Sequence, residues 1–341
     1  MQSIDQKNNK LFFYWLNISF LMVFFMIIVG GLTRLTDSGL SITEWELFTG
    51  ILPPLTNKQW IEYFSLYKRI PQYQLLNTDM TLDEFKIIFY WEYFHRILGR
   101  IIGLFFLIPL IYFHFTQSIS KKKLINCYLI LSLIIIQGIV GWFMVKSGLV
   151  NDITVSHYRL SLHLSIAFLI ILTMFWLIKN EKLNTTKKFF TKQKGNNLYL
   201  ILILILFFQI SLGAFVSGLD AGKIYQTWPL MGQTFIPNDL ETINFGNFFD
   251  FNNRSLVQFY HRNTAYLITF YIIFIGFIIF KDKINSLKKP YYLLLFFLFL
   301  QILLGIITLT SGLNMYLASS HQICSLLLMI SAINLYYYHI N

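Results

Sequence analysis

Eight continuous apolar runs, each about twenty residues or longer, leave this chain few ways to fold. They lie at about 11–33, 86–115, 124–145, 156–178, 198–218, 256–280, 291–312 and 315–338. A hydrocarbon core about 30 Å thick is crossed by roughly 20 helical residues. In lipid, the backbone polar groups must be satisfied within the spanning structure itself. A membrane barrel would alternate apolar and polar residues over strands of about ten, and these runs do not alternate. The expected fold is therefore an all-α polytopic membrane protein with eight transmembrane helices. Only 13% of the 341 residues are charged, about half the share usual in soluble chains.

The basic residues are shared unevenly between the connecting segments. Lys7, Lys10, Lys121, Lys122, Lys123, six lysines from Lys179 to Lys194 and four from Lys281 to Lys289 fall on one side. Arg34, Lys58, Lys68, Arg69, Lys146, Lys223 and Arg254 are spread over much longer segments on the other. The positive-inside rule places both termini in the cytoplasm. The net charge of +11 is then a topology signal, and no nucleic-acid partner is needed to explain it. Residues Met1 to Lys10 are polar and carry Asp5, unlike an Arg-rich, acid-poor transit peptide. The first apolar run is read as a retained span. Cys127 and Cys324 lie singly inside apolar runs, which excludes a cysteine-based zinc or iron–sulfur site.

Two outer segments, 34–85 and 219–255, are long. In the first, Thr56 with Gln59 makes a capping box, followed by Trp60, Phe64 and Tyr67 at helical spacing. That stripe suits a helix lying on the membrane or over a pocket, and equally a loop helix with a small core of its own. Thr81 with Glu84 is a second capping box that would start the second span before the bilayer.

The chain also repeats itself. Gly30, Asp37, Gly39 and Trp45 match Gly213, Asp220, Gly222 and Trp228 at one constant offset. Phe94-His95-Arg96 then matches Tyr260-His261-Arg262, Gln137 and Gly141 match Gln301 and Gly305, and Tyr158 and His163 match Tyr316 and His321. The expected organisation is two tandem four-helix bundles of the same orientation, 1–190 and 191–341.

The repeat sorts the seven histidines. His95, His163, His261 and His321 recur; His114, His157 and His339 do not. The recurring four lie in the outer half of their spans, one on the second and one on the fourth helix of each unit. Facing imidazoles inside a helical bundle are a common way to hold haem iron. Interhelical hydrogen bonding is the plainer alternative, but it leaves their matched depths unexplained. A bare zinc site would lack ligands, with two histidines per unit and no cysteine. His114 and His339 read as interfacial, and His157 as an outer-mouth residue that could meet a propionate. Arg96 and Arg262, each following a histidine, either neutralise propionates or snorkel outward.

The two units differ at one telling position. Glu92 in the first is Gln258 in the second. Glu92, His95 and Arg96 share a helix face, and ionisable groups inside a span are costly enough to suggest function. A carboxylate beside a ligand histidine could act as a base or stabilise a cation, or it could simply pair with Arg96 one turn on. An amide cannot exchange protons. The second site therefore reads as a stable electron-transferring haem, and the first as the reactive site.

With these residues in view, the chain resembles the haem A synthase family of cytochrome oxidase assembly. The resemblance covers nearly the whole chain. It rests on Gly30-Gly-Leu-Thr-Arg-Leu-Thr-Asp-Ser-Gly39, Glu92-Tyr-Phe-His-Arg96, Arg159-Leu-Ser-Leu-His163, Gly218-Leu-Asp-Ala-Gly222, Trp228-Pro-Leu-Met-Gly232, Phe259-Tyr-His-Arg262 and His321-Gln322. No cysteine pair occurs in the first outer loop, so the chain looks like the alphaproteobacterial and mitochondrial branch. The resemblance implies oxidation of the C8 methyl of haem O to a formyl group by successive hydroxylation, giving haem A. It implies a permanent haem b on His261 and His321, and a substrate haem bracketed by His95 and His163 with Glu92 at its reacting edge. It also implies a bacterial inner membrane, an electron acceptor, haem O synthase and oxidase assembly factors as partners, and room for a homo-oligomer. The residues alone leave three competitors: a di-haem quinol or ferric reductase, a parallel-repeat transporter with proton-relaying or metal-binding histidines, and a pure assembly scaffold.

Overall fold

A computed structural model of the chain describes residues 2–44, 49–151, 153–240 and 245–340. Among them there is no β-strand, and eight helices are long and apolar enough to cross a membrane. The protein is a multi-pass membrane protein. It divides into two compact units, Met1–Lys182 and Leu183–Asn341.

In the first unit the spans are α1 (Gln2–Leu35), α4 (Leu82–Thr116), α5 (Lys121–Asn151) and α6 (His157–Lys182). They form a ring in which α1 touches α4 and α6, and α5 touches the same two. Helices α4 and α6 therefore stand opposite each other. Aromatic packing joins α1 to α4: Trp15 lies 4.7 Å from Phe106 between ring centroids, and its Nε1 donates to the Phe105 carbonyl at 3.0 Å. Beside this cluster, Lys123 on α5 lies over the Phe12 ring and pairs with Glu181 on α6 at 2.7 Å.

The long outer loop between α1 and α4 carries α2 (Asn57–Tyr67) and the short α3 (Pro71–Leu76). Both expected capping boxes form, at Thr56 with Gln59 and at Thr81 with Glu84. Each satisfies helix-start N–H groups that would otherwise lack partners. Trp60, Phe64 and Tyr67 are buried against Phe85 and Phe89 of α4, with Leu40 and Ile42 in the same cluster. The stripe therefore closes a small loop core, so α2 does not turn that face to lipid. Buried Gln72 ties this core to the end of α1, donating to the Asp37 carbonyl at 3.0 Å and accepting from the Tyr67 hydroxyl at 3.1 Å. Trp45, part of the repeat, lies outside the described residues.

The second unit contains α7 (Asn196–Gly218), α8 (Arg254–Lys281), α9 (Asn285–Thr310) and α10 (Met315–His339). The ring order is the same, with α8 and α10 opposite. The segment before α7 belongs to this unit because it packs on the end of α10. Thr185 meets the Tyr337 hydroxyl at 2.5 Å, Tyr336 donates to the Phe189 carbonyl at 2.5 Å, and Gln193 donates to the His339 carbonyl at 3.0 Å. Asp37 and Asp220, matched by the repeat, both take left-handed backbone angles, φ 51° and 52°, which aspartate tolerates better than most residues.

Candidate functional site

The four recurring histidines sit on the helices that oppose each other, α4 with α6 and α8 with α10. The imidazole centroids of His95 and His163 are 6.4 Å apart with ring planes at 61°. A bond from a transition metal to an imidazole nitrogen is about 2 Å, so two in line plus the half-widths of the rings span roughly 6 Å. The first pair is thus spaced to take one metal ion between the rings. Nδ1 of His163, His261 and His321 is buried without a hydrogen-bond partner. Buried polar atoms are normally satisfied, and such exceptions often mark a group that the chain itself does not carry. His321 Nε2 lies 3.3 Å from the Gln301 amide of α9. Among the described residues no three metal-binding side chains come together, so each pair presents two imidazoles and no cage. Two opposed imidazoles in an apolar four-helix ring fit a haem.

Glu92, one turn from His95, is buried and fully engaged. Its Oε1 accepts from Arg96 Nε at 3.1 Å and Nη2 at 2.6 Å. Its Oε2 accepts from the Ser41 hydroxyl at 2.7 Å and the Ile42 backbone N–H at 2.8 Å. Arg96 Nη2 also donates to the Ile42 carbonyl at 3.0 Å. The pair Glu92–Arg96 therefore latches both polar groups of one loop residue onto α4. Both Arg96 bonds converge on one carboxylate oxygen, a charge-assisted contact stronger than a neutral one. The ion pair with Arg96 and the position beside the histidine coexist.

The second unit repeats the latch with different chemistry. Gln258 Nε2 donates to the Tyr225 carbonyl at 2.8 Å, and Arg262 Nη2 donates to the same oxygen at 2.8 Å. Arg262 Nη1 reaches the carbonyls of Thr227 at 2.9 Å and Leu230 at 3.2 Å. Its Nε is buried without a partner. Tyr225 stands at the repeat position of Ile42. Its hydroxyl donates to Asp239 at 2.6 Å, a bond that raises the phenol's pKa.

The unmatched histidines lie apart from these pairs. His114 Nδ1 meets the Tyr128 hydroxyl at 2.8 Å, and His339 packs 4.3 Å from the Tyr199 ring. His157 is buried at the start of α6, 4.2 Å from the Tyr158 ring.

The family model described as "Cytochrome oxidase assembly protein" matches residues 13–333. The chain belongs to this family. Among its relatives, the protein named heme A synthase from Pelagibacter ubique is 48% identical over 93% of each chain. The heme A synthase of Rickettsia felis is 42% identical over 92% of this chain and 94% of its own. That of Flavobacterium psychrophilum is 40% identical over 95% and 96%.

The matched span of this cytochrome oxidase assembly family includes all four histidines, Glu92, Gln258 and both arginines. Arg100 closes the polar run Glu92, His95, Arg96 on α4 and so carries a signal in the sequence, but its partner in the loop does not. Arg100 Nη1 donates to the Gly50 carbonyl at 3.1 Å, and the Tyr93 hydroxyl donates to the Ile51 carbonyl at 2.6 Å. Together with Arg96, Glu44 and Phe89 they line a small cavity under the loop. Ile42 and Tyr225 act through their backbone, which residue type does not reveal. Their shared place in the repeat is the signal that could have found them.

Proposed function

We infer that this protein is a haem A synthase, oxidising the C8 methyl of haem O to a formyl group by successive hydroxylation. Family membership and relatives of that name support the reaction. The observation that carries the reading at the site is the spacing of His95 and His163 inside an apolar bundle.

In this reading His95 and His163 bracket haem O as the substrate. His261 and His321 hold a resident haem b, which supplies one-electron transfer when bound. Glu92 places its carboxyl group one turn from His95 and is the group closest to proton chemistry. Its contacts to Arg96 and the Ile42 N–H offer no site for a proton. The Ser41 hydroxyl, both donor and acceptor, is the contact that can turn to pass one on. Arg262, through its unpartnered Nε, is the better placed of the two arginines to take a propionate. Arg96 serves chiefly to hold Glu92. The reading calls for an electron acceptor, haem O synthase, oxidase assembly factors and room for self-association. The lysine-rich segments support an inner-membrane topology with cytoplasmic termini and both haem sites toward the outer side.

Expression beside a haem O source, followed by pigment extraction and mass measurement, tests the activity. Haem A is the expected product. Recovery of haem O and haem B alone, with quinol oxidation in their place, would overturn the assignment.

A further inference from the structure

Each recurring histidine is seated on a glycine of a neighbouring helix. A Cβ added to Gly141 on α5 would stand 3.0 Å from Cε1 of His163, and one on Gly305 of α9 would stand 2.9 Å from Cε1 of His321. The distances to Nδ1 follow in parallel, 3.5 and 3.4 Å. On the other side of the rings, a Cβ on Gly213 of α7 would lie 3.2 Å from His261 Cε1, and one on Gly30 of α1 would lie 3.1 Å from His95 Nε2. All four are inside the optimal carbon contact of about 3.5–4.0 Å. The pairing obeys the repeat: α1 and α7 serve the histidines of α4 and α8, while α5 and α9 serve those of α6 and α10. Glycine also marks close approach elsewhere: an added Cβ would stand 3.3 Å from Met26 at Gly99 and 1.9 Å from Tyr291 at Gly276. These four, however, each meet a recurring histidine, and not every helical glycine is in contact. Gly138, one turn from Gly141 on the same helix, and Gly103 on α4 have nothing within 4 Å of an added Cβ. His95 turns the opposite edge of its ring to its glycine, which a half-turn about χ2 would exchange.

We propose that Gly30, Gly141, Gly213 and Gly305 are positioning residues for the four haem-ligating imidazoles. This rests on the haem reading above. A histidine fixed only at its own backbone can turn about χ1 and χ2. To hold a haem iron, each imidazole would need one nitrogen aimed at the metal and its ring kept in one orientation. The flat glycine face of the adjacent helix supplies the second restraint, and a methyl group there would displace the ring. Outer contacts of this kind tune metal affinity by about 10–100-fold.

The test uses the full-length holoprotein in solubilised membranes, comparing wild type with Gly213→Ala, Gly305→Ala, Gly103→Ala and Gly138→Ala. Haem per protein, haem loss rate, the low-spin electron paramagnetic resonance signal and the thermal midpoint are read together. Both shelf variants should show a displaced low-spin signal and about tenfold faster haem loss, Gly305→Ala more than Gly213→Ala. The two control variants should match wild type in signal and haem retention. Wild-type signal and retention in both shelf variants would overturn the proposal, as would equal shifts in the controls. Disappearance of both shelf variants from the membrane would assign the glycines to folding and overturn it too. A wild type without any low-spin signal would defeat the haem reading itself, an outcome distinct from the others.

Discussion

Glu92 and Gln258 grip the same loop position of their two units by opposite poles of its backbone. Glu92 accepts the Ile42 N–H at 2.8 Å, whereas Gln258 donates to the Tyr225 carbonyl at 2.8 Å. A carboxylate can only accept and an amide nitrogen can only donate, so the substitution inverts the contact while keeping the latch. The first latch carries an ion pair in a buried setting, with side-chain exposures of 12% for Arg96 and 3% for Glu92. In the second, the arginine's hydrogen bonds go to backbone carbonyls.

Glu92→Gln should stop formyl formation while haem b stays bound on His261 and His321. The amide oxygen can still accept from Arg96, but the charge is lost and the amide nitrogen cannot accept the Ile42 N–H. Removing one charge of a buried pair costs about 3–5 kcal/mol. Pigment extraction should return haem O with no haem A. A normal haem A yield would remove Glu92 from the chemistry.

Ser41→Ala should slow conversion without altering bound haem b. It removes one hydrogen bond to a buried carboxylate, about 1.5–3 kcal/mol, and the hydroxyl best able to exchange a proton with Glu92. The haem A to haem O ratio should fall while the visible spectrum of the resident haem is unchanged. An unchanged ratio would confine Ser41 to loop packing.

His261→Ala should release the resident haem and His95→Ala should not. Soret absorbance per protein distinguishes the two variants. Equal bleaching in both would mean that the two units do not divide the haems as proposed.

Trp60→Ala should loosen the first outer loop, at a cost of about 3–5 kcal/mol for a buried aromatic. The indole packs 5.0 Å from Phe89 between ring centroids. Limited proteolysis should cut within 49–80 faster than in wild type, while the haem b spectrum holds. Protection equal to wild type would show that the small core is not what secures the loop.

Gly276→Ala should lower the thermal midpoint without moving the low-spin haem signal. An added Cβ would fall 1.9 Å from the Tyr291 hydroxyl, which donates to the Ile272 carbonyl at 3.3 Å. Overpacking of this kind costs about 1–3 kcal/mol. An unchanged midpoint would show that α8 and α9 separate freely at this point.

The amino-acid sequence by itself determined the eight spans, because apolar length against bilayer thickness is a one-dimensional criterion. It also determined the two capping boxes, whose partners lie three residues apart. The recurrence of His95, His163, His261 and His321 was legible as well, since a duplicated unit repeats its costly polar residues in order. The pairing of second-helix with fourth-helix histidines was legible from the repeat. Only the tertiary structure decided the order of the helices around each ring and the 6.4 Å spacing of His95 and His163. It also decided that α2 buries its stripe against Phe85 and Phe89. The partners of Glu92 were only half legible. Arg96 lies one turn away, but Ser41 and Ile42 come from about fifty residues earlier and bind through a hydroxyl and a peptide group that no residue pattern announces. The glycines beneath the histidines were visible as repeats but mute as to purpose. A missing side chain acquires meaning only when another helix brings a ring to within 3 Å or so of its place.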